Sequence, residues 1–324
     1  MYYRIRHLTR FRYSEPITES IMEVRMHPRT EAMQRCLDYQ LAVTPKANIH
    51  IYRDYLGNSV HHFDIPGAHS QLQLMAESVV EMKPWPPSPD RLPASAWEDL
   101  DRAVADGDYW EMLLPSLYCR WTPLLEKAAG EFDMVRRDDP LSLLSELSDR
   151  MFKGFEYTPR TTRVDSPIDE ALKQRKGVCQ DFSHIFISLA RKLGIPSRYV
   201  SGYLHHRKED QDRSDDGATH AWVECWLPGL GWTGIDPTNN LLAGERHIRT
   251  AIGRDYADVP PTRGVFKGGA TTQLTVAVDV SPCEELPPEL AEMTLSEENS
   301  FPQDVIALEQ KMSDWEIQQQ QQQQ

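Results

Sequence analysis

A proline-rich segment in the first third of the chain separates two different patterns of hydrophobic residues. Residues 84–89 read Pro-Trp-Pro-Pro-Ser-Pro. Proline fixes φ and has no backbone N–H to donate, so prolines at this density cannot lie inside a helix or a central strand. We therefore predict a linker over residues 84–94, with one domain before it and another after it.

Residues 1–83 carry the alternation that is typical of half-buried strands. From Tyr3 to Tyr13, large apolar or aromatic residues alternate with basic ones, which places the two kinds on opposite faces of a sheet. Further strands are predicted from similar runs at 20–26, 37–43, 49–55 and 60–63. Gly57-Asn58 joins the last two runs as a hairpin. This part of the chain is predicted to be a small, antiparallel β domain.

Residues 95–281 are predicted to form the second domain, which begins with helices. Leucines at 141, 144 and 147 and Met151 recur at helical spacing after a cap and a first-turn proline at Asp139-Pro140. Ser166-Pro167 is predicted to start a short helix in the same way. A late strand at 271–280, again with alternating residues, is assigned to this domain.

The remaining residues, 282–324, are acidic and end in seven glutamines. Ten acidic residues and one lysine give this tail a net charge of −9, out of −14 for the whole chain. Such a composition predicts a disordered tail, and any partner of the tail is unknown. The rest of the chain is only mildly acidic and has no basic stripe, so we expect neither nucleic acid nor an anionic membrane surface as a partner.

Composition and cysteine spacing narrow the class of protein further. The chain is 40% hydrophobic and 26% charged, which is typical of a soluble globular protein, and it has no run of 18 apolar residues. No apolar segment follows the basic residues at the N-terminus, so a cytoplasmic location is expected. The five cysteines are scattered, without a Cys-x-x-Cys pair, and predict neither disulfides nor a zinc site. We predict no cofactor and no metal, because the His-His pairs at 61–62 and 205–206 have no helical partner and are expected to be exposed.

Cys179 differs from the other four cysteines in its surroundings. Apolar residues recur behind it at helical spacing, at Phe182, Ile185, Phe186, Leu189, Ala190 and Leu193. They predict a helix that begins at Cys179, is buried along one face and ends at Gly194. Free amides and the helix dipole at its first turn favour an anion, and therefore the nucleophilic thiolate. This position alone fits a nucleophile and a buried structural cysteine equally well.

A predicted hairpin supplies two partners for this thiol. A strand over residues 218–227 begins near His220, and after the turn at 228–231 the next strand ends at Asp236. Antiparallel pairing brings the start of the first strand beside the end of the second, so an imidazole–carboxylate hydrogen bond is available. With Cys179 on a helix packed across this sheet, the three residues would be nucleophile, base and orienting group, as in papain-like enzymes.

Three separated motifs resemble the signatures of the transglutaminase-like superfamily. They are Gly177–Asp181, Thr219–Glu224 and Gly231–Asn239, in the family's order of Cys, His and Asp. The resemblance extends to the β segment at the N-terminus and to residues 253–261, so it covers most of residues 1–281. It implies an α+β fold, in which an N-terminal antiparallel β domain precedes a papain-like core with the nucleophile helix packed on an antiparallel sheet.

The resemblance also implies the roles of individual residues. Cys179, His220 and Asp236 would form the catalytic triad. The oxyanion hole would use the main-chain amide of Cys179 and one donor upstream, for which Tyr157 is the candidate; a tyrosine that only packs in the core is the alternative.

The expected chemistry is acyl transfer from an amide bond of a protein or peptide through a thioacyl-enzyme. Water as the acceptor would make the protein a protease or amidase, which we favour because the sequence has no evident calcium site and bacterial members of the family are often regarded as proteases. A lysine-like amine as the acceptor would make it a transglutaminase. A binding or scaffold protein with this fold and no turnover is the alternative of another class, although the presence of Cys179 argues against it.

Overall fold

A computed structural model describes residues 1–207, 209–210 and 212–283. Residues 1–82 form six antiparallel strands, of which the alternation predicts the first five and not the sixth. They are β1 (Tyr2–Ile17), β2 (Glu19–Val24), β3 (Gln34–Thr44), β4 (His50–Arg53), β5 (Ser59–Ile65) and β6 (His69–Met82). In β1, residues such as Tyr3 and Ile5 are buried while their neighbours Arg4 and Arg6 are exposed, which is the period of two that a sheet imposes.

Helices dominate residues 96–192, together with two very short strands. The helices are α1 (Ala96–Asp106), α2 (Pro123–Glu131), α3 (Pro140–Gly154), α4 (Ile168–Gln174) and α5 (Cys179–Lys192), and the strands are β7 (Glu156–Tyr157) and β8 (Lys176–Gly177). The start of α3 is as predicted, because Asp139 Oδ1 accepts hydrogen bonds from the amides of Leu141 at 3.0 Å and Ser142 at 3.1 Å. None of the described helices is long and apolar enough to span a membrane.

The start of α4 differs from the prediction by one residue. The helix begins at Ile168, with Pro167 in the cap position, and its cap has no side-chain hydrogen bond. Ser166 does not cap the helix because its hydroxyl oxygen accepts the N–H of Arg163 at 3.0 Å. The serine therefore closes the preceding turn instead.

A sheet of five strands forms the platform for α5. Its strands are β9 (Ser197–Leu204), β10 (His220–Leu227), β11 (Gly231–Asp236), β12 (Leu241–Leu242) and β13 (His247–Gly253), in the order β12-β11-β10-β9-β13. Ile185, Phe186 and Leu189 of α5 share one hydrophobic core with Val223 and Cys225 of β10. Helix α5 ends at Lys192, and Gly194 follows it in the left-handed conformation, with φ of +78°, which agrees with the predicted helix end at this glycine. The α+β fold and the helix-on-sheet core are thus confirmed.

The late strand belongs to the N-terminal sheets, and its assignment to the second domain was wrong. Strands β14 (Thr262–Lys267) and β15 (Thr272–Cys283) give sheet orders of β14-β2-β5-β4 and β15-β1-β6-β3. Strand β1 pairs with β6 along one edge and with β15 along the other. Without β15, the backbone amides and carbonyls of that second edge would have no partners in the sheet. Strand β15 also runs to Cys283, past the predicted start of the tail at 282. The rest of the predicted tail, 284–324, lies outside the described residues.

Candidate active site

Cys179 is the first residue of α5, and the chain that leads into it is tightly fixed. Asp181 Oδ2 accepts the N–H of Val178 at 2.9 Å and the hydroxyl of Thr162 at 2.6 Å. A Cβ on Gly177 would lie 2.7 Å from that same oxygen, so only glycine allows this approach. Because the helix is buried along its length, the half-buried Cys179 is held at a defined place with its amide at the free end of the helix.

His220 and Asp236 form the hydrogen bond that the hairpin predicts. His220 Nε2 lies 2.7 Å from Asp236 Oδ2, and both side chains are buried. Val223 is paired with Ile235, so extending the register by one residue places Asp236 opposite Trp222. His220 and Asp236 are therefore diagonal neighbours on one face of the sheet, and a long imidazole side chain spans that separation.

The charges of this pair stabilise each other. Burial opposes the charge on the imidazole, but the Asp236 carboxylate and the nearby Cys179 together raise the pKa of His220. Burial likewise opposes the carboxylate charge, but His220 and further hydrogen bonds hold the pKa of Asp236 far below its usual range. Nδ1 of His220 is buried, and within the described part of the chain its one neighbouring partner is the Cys179 side chain, so its proton is not committed elsewhere. A protonated His220 can therefore sit beside the Cys179 sulfur.

Asp236 is held by more groups than the sequence reveals. Its Oδ1 accepts the amides of Thr238 at 3.0 Å and Asn239 at 3.3 Å, and its Oδ2 accepts the Asn239 side-chain amide at 2.8 Å. His247 Nε2 lies 3.2 Å from Oδ2. Asn239 belongs to a recognised motif, but His247 was missed, because it comes from β13 at the far edge of the sheet and no spacing in the sequence marks it.

The same histidines raise the question of a metal site. A ring nitrogen of His220, one of His247 and a carboxylate oxygen of Asp236 lie within 4.8 Å of one another, and zinc accepts such ligands. Each Nε2, however, lies at hydrogen-bonding distance from Asp236 Oδ2, where it must carry a proton rather than a lone pair. Nδ1 of His247 accepts the amide of Gly244 at 3.3 Å, which places the proton of that ring on Nε2. The geometry is that of a hydrogen-bonded cluster.

The two His-His pairs, at 61–62 and 205–206, are less exposed than the sequence predicts. His61 was predicted to be exposed but is only 3% exposed, because it packs with its ring 5.0 Å from that of Tyr39. His62, His205 and His206 are half-buried rather than exposed. Those predictions of exposure were wrong because His61 and His62 lie on β5, which pairs with a strand on each side, and because His205 and His206 contact Val280 and Ser214.

Tyr157 lies beside the segment that leads into Cys179. It pairs with Gly177 across β7 and β8, two residues before Cys179. Burial and the neighbouring Cys179 raise the pKa of Tyr157. Its hydroxyl oxygen accepts the amide of Asp215 at 3.4 Å, and no described residue accepts its proton. The position is compatible with donation to a substrate oxygen, and the oxyanion role itself stays a prediction.

Trp222 packs directly under His220. Its side chain is fully buried, and its ring is stacked 6.0 Å from the His220 ring with an interplanar angle of 27°. Gly202 lies opposite His220 on β9 and leaves the space for this ring, since a Cβ there would be 2.7 Å from Trp222 and 2.1 Å from the carbonyl oxygen of Ile248. The floor of the site is therefore closely packed.

The helix that begins at Cys179, the antiparallel sheet and the buried histidine–aspartate pair define an α+β protein with a cysteine protease-like fold. Residues 3–81 match the model of the bacterial transglutaminase-like N-terminal region, and residues 132–237 match that of the transglutaminase-like superfamily. The chain belongs to the transglutaminase-like superfamily, and its resemblance to that family is confirmed.

Several known proteins are similar to the chain, two of them over most of its length and one over part of it. An uncharacterised protein from Mycobacterium leprae (strain TN) is 33% identical over 280 residues, which is 86% of this chain and 98% of that protein. A protein-glutamine gamma-glutamyltransferase from Pseudomonas aeruginosa is 32% identical over 140 residues, 40% of this chain but 21% of that enzyme. Among solved structures, a candidate cysteine protease from Cytophaga hutchinsonii has a TM-score of 0.67 at 23% identity, and the match covers 89% of this chain and 93% of that chain. This last likeness shows the fold.

Proposed function

We propose that the protein is a cysteine-nucleophile acyl-transfer enzyme that acts on amide bonds of protein or peptide substrates. In this proposal Cys179 is the nucleophile, His220 the acid and base, and Asp236 the group that orients His220. The observation that carries it is the 2.7 Å contact of His220 Nε2 with the buried Asp236, which leaves Nδ1 uncommitted on a ring whose charged form is stabilised by Cys179.

The reaction would proceed in two steps. The Cys179 sulfur attacks the carbonyl carbon, and the resulting oxyanion is held by the free Cys179 amide and the Tyr157 hydroxyl. His220 gives its proton to the leaving nitrogen, the C–N bond breaks and a thioester remains on Cys179. His220 then takes a proton from the acceptor, whose attack breaks the C–S bond and restores the thiolate–imidazolium pair.

Water is the acceptor that we propose first, which makes the enzyme a protease or amidase. The cysteine protease-like fold supports this choice. Transfer to an amine is the second candidate, supported by the 32% identity to the Pseudomonas enzyme named protein-glutamine gamma-glutamyltransferase. The triad serves both reactions, because only the acceptor differs.

Mass spectrometry separates the two acceptors. The protein is incubated with a glutamine-containing peptide library and a labelled primary amine, with Cys179→Ala as the control. Cleaved or deamidated products that need Cys179 support hydrolysis, whereas amine-linked product with little free acid would show transfer instead. Loss of neither reaction in Cys179→Ala, or no product at all with a broad library of peptides and isopeptides, would contradict the enzyme proposal and favour a binding protein.

A further inference from the structure

A cavity of about 640 Å³ opens beside Tyr157, and several basic side chains line it. Four cations and one carboxylate contribute to its lining, at Lys153, Arg175, Lys176, Arg213 and Glu156. This basic cavity stands out in a protein whose net charge is −14. Nothing in the triad chemistry uses it.

Three of the four cations are neutralised by neighbours. Lys153 pairs with Asp149 at 2.7 Å, Lys176 pairs with Glu156 at 2.9 Å, and Arg175 pairs with Glu131. Arg213 is different. Across residues 1–207, 209–210 and 212–283, no carboxylate lies within ion-pair distance of its guanidinium.

Arg213 is also held in one orientation. Its Nη1 donates to the carbonyl oxygen of Phe152 at 2.6 Å, and the guanidinium lies 3.4 Å from the centre of the Phe152 ring. Its backbone amide donates to Asn239 Oδ1 at 2.7 Å. Nε and Nη2 of Arg213 have no acceptor in the described part of the chain and are not buried. The edge of the guanidinium that these two nitrogens form is therefore free to bind a carboxylate.

The basic cavity adjoins the candidate catalytic site through two connections. Tyr157 lines the cavity and pairs with Gly177 just before Cys179. Asn239 binds the Arg213 amide through its Oδ1 and Asp236 through its Nδ2, at 2.7 and 2.8 Å. A group bound at Arg213 would therefore lie beside a substrate that reaches the thiol.

Resting on the acyl transfer proposed above, we propose that Arg213 binds a carboxylate of the substrate. The preferred acyl donors then carry Asp, Glu or a free carboxylate within a few residues of the carbonyl that Cys179 attacks. A planar guanidinium with a free edge binds a carboxylate through two hydrogen bonds, and its fixed position lowers the entropy lost on binding.

The first test measures the electrostatic potential at Cys179 and needs no substrate turnover. Anionic iodoacetate and neutral iodoacetamide are compared as alkylating reagents of Cys179 in the full chain, and the ratio of their rates is recorded. Arg213→Gln is expected to lower this ratio about 3- to 10-fold at low ionic strength, since one unpaired cation is removed from the basic cavity that adjoins the site. The control is Arg102→Gln, because Arg102 lies on α1, is exposed and pairs with Asp99; its ratio should equal that of the wild type. An unchanged ratio in Arg213→Gln overturns the proposal.

The second test uses substrates. Matched peptides with Glu, Gln or Lys near the scissile amide are compared by kcat/KM on the wild type, Arg213→Gln and Arg213→Lys. The wild type should prefer Glu over Gln about 10-fold, Arg213→Gln should lose the preference, and Arg213→Lys should keep part of it. Equal use of Glu and Gln peptides by the wild type contradicts the proposal, even if Arg213→Gln does not fold. Absence of turnover with every peptide would count against the enzyme proposal alone, because the alkylation ratio still decides the role of Arg213.

Discussion

Nε2 of His247 lies 3.2 Å from Oδ2 of Asp236. That oxygen also binds His220 at 2.7 Å and the side-chain amide of Asn239 at 2.8 Å. The orientation of the carboxylate is therefore fixed from several sides and does not depend on His220. This makes His247 a positioning residue, which supports the proposed orienting group without touching the reacting atoms.

His247→Leu should lower kcat about 10-fold and leave KM nearly unchanged, since outer hydrogen bonds of this kind contribute about 10- to 100-fold. His247→Gln retains an N–H donor and should recover part of the loss. The measurement is steady-state kinetics on one peptide with all three proteins. Equal losses in the two variants, or a change in KM alone, would speak against positioning through Asp236.

Cys179 should be the cysteine that iodoacetamide labels fastest at neutral pH. Burial raises the pKa of Cys36, Cys119 and Cys225 to about 12 each, which leaves roughly 10⁻⁵ of each as thiolate at pH 7. Cys283, which is half-buried, is the competing site. Peptide mapping should show Cys179 labelled ahead of Cys283, and His220→Ala should abolish that lead. Retained selectivity in His220→Ala would mean that His220 is not the partner.

Asp236→Asn should remove stability in a defined pH window. The pKa of His220 is raised on folding, so its contribution is full below the unfolded value of about 6.5 and is lost as pH rises through the raised pKa. The pKa of Asp236 is lowered, so its contribution is present above about 3.9 and is lost as pH falls. Denaturant unfolding of the wild type and Asp236→Asn should therefore differ most between about pH 4 and 6.5. If the difference in unfolding free energy between the two proteins grew toward pH 10, it would contradict the charged His220–Asp236 pair.

Gly202→Ala should destabilise the sheet under His220. The added Cβ would meet the carbonyl oxygen of Ile248 at 2.1 Å and the Trp222 ring at 2.7 Å, and overpacking of this kind costs about 1–3 kcal/mol or more. Gly130→Ala is the matched control: it lies in α2 with nothing within 4 Å of its added Cβ, and it should stabilise by up to about 1 kcal/mol. Free energies of unfolding in denaturant decide the comparison, and an unchanged Gly202→Ala would show that the strand relaxes freely.

Tyr157→Phe separates an oxyanion donor from a packed tyrosine. Loss of an oxyanion donor lowers kcat about 10²- to 10³-fold, whereas alkylation of Cys179 by iodoacetamide forms no oxyanion and should proceed at the wild-type rate. Both rates are measured on the same preparation. A kcat equal to that of the wild type would assign Tyr157 to packing, and a parallel fall in both rates would indicate a displaced Cys179.

The sequence by itself determined the local elements that carry the proposed triad. Strand β11 ends at Asp236 as predicted, and α5 begins at Cys179 as predicted. These elements follow from hydrophobic period, glycine and proline, which act between near neighbours in the chain. Because only a short turn joins β10 to β11, the contact between His220 and Asp236 was also predictable.

Only the tertiary structure decided which distant segments meet. Strand β15 pairs with β1 across more than 250 residues, since the free edge of β1 has to be covered, and its alternating pattern does not say which edge it will cover. His247 reaches Asp236 from the far edge of the sheet, and Arg213 reaches the basic cavity from a charged loop with no hydrophobic period. Such contacts depend on how whole elements pack, so they appear in no local pattern of residues.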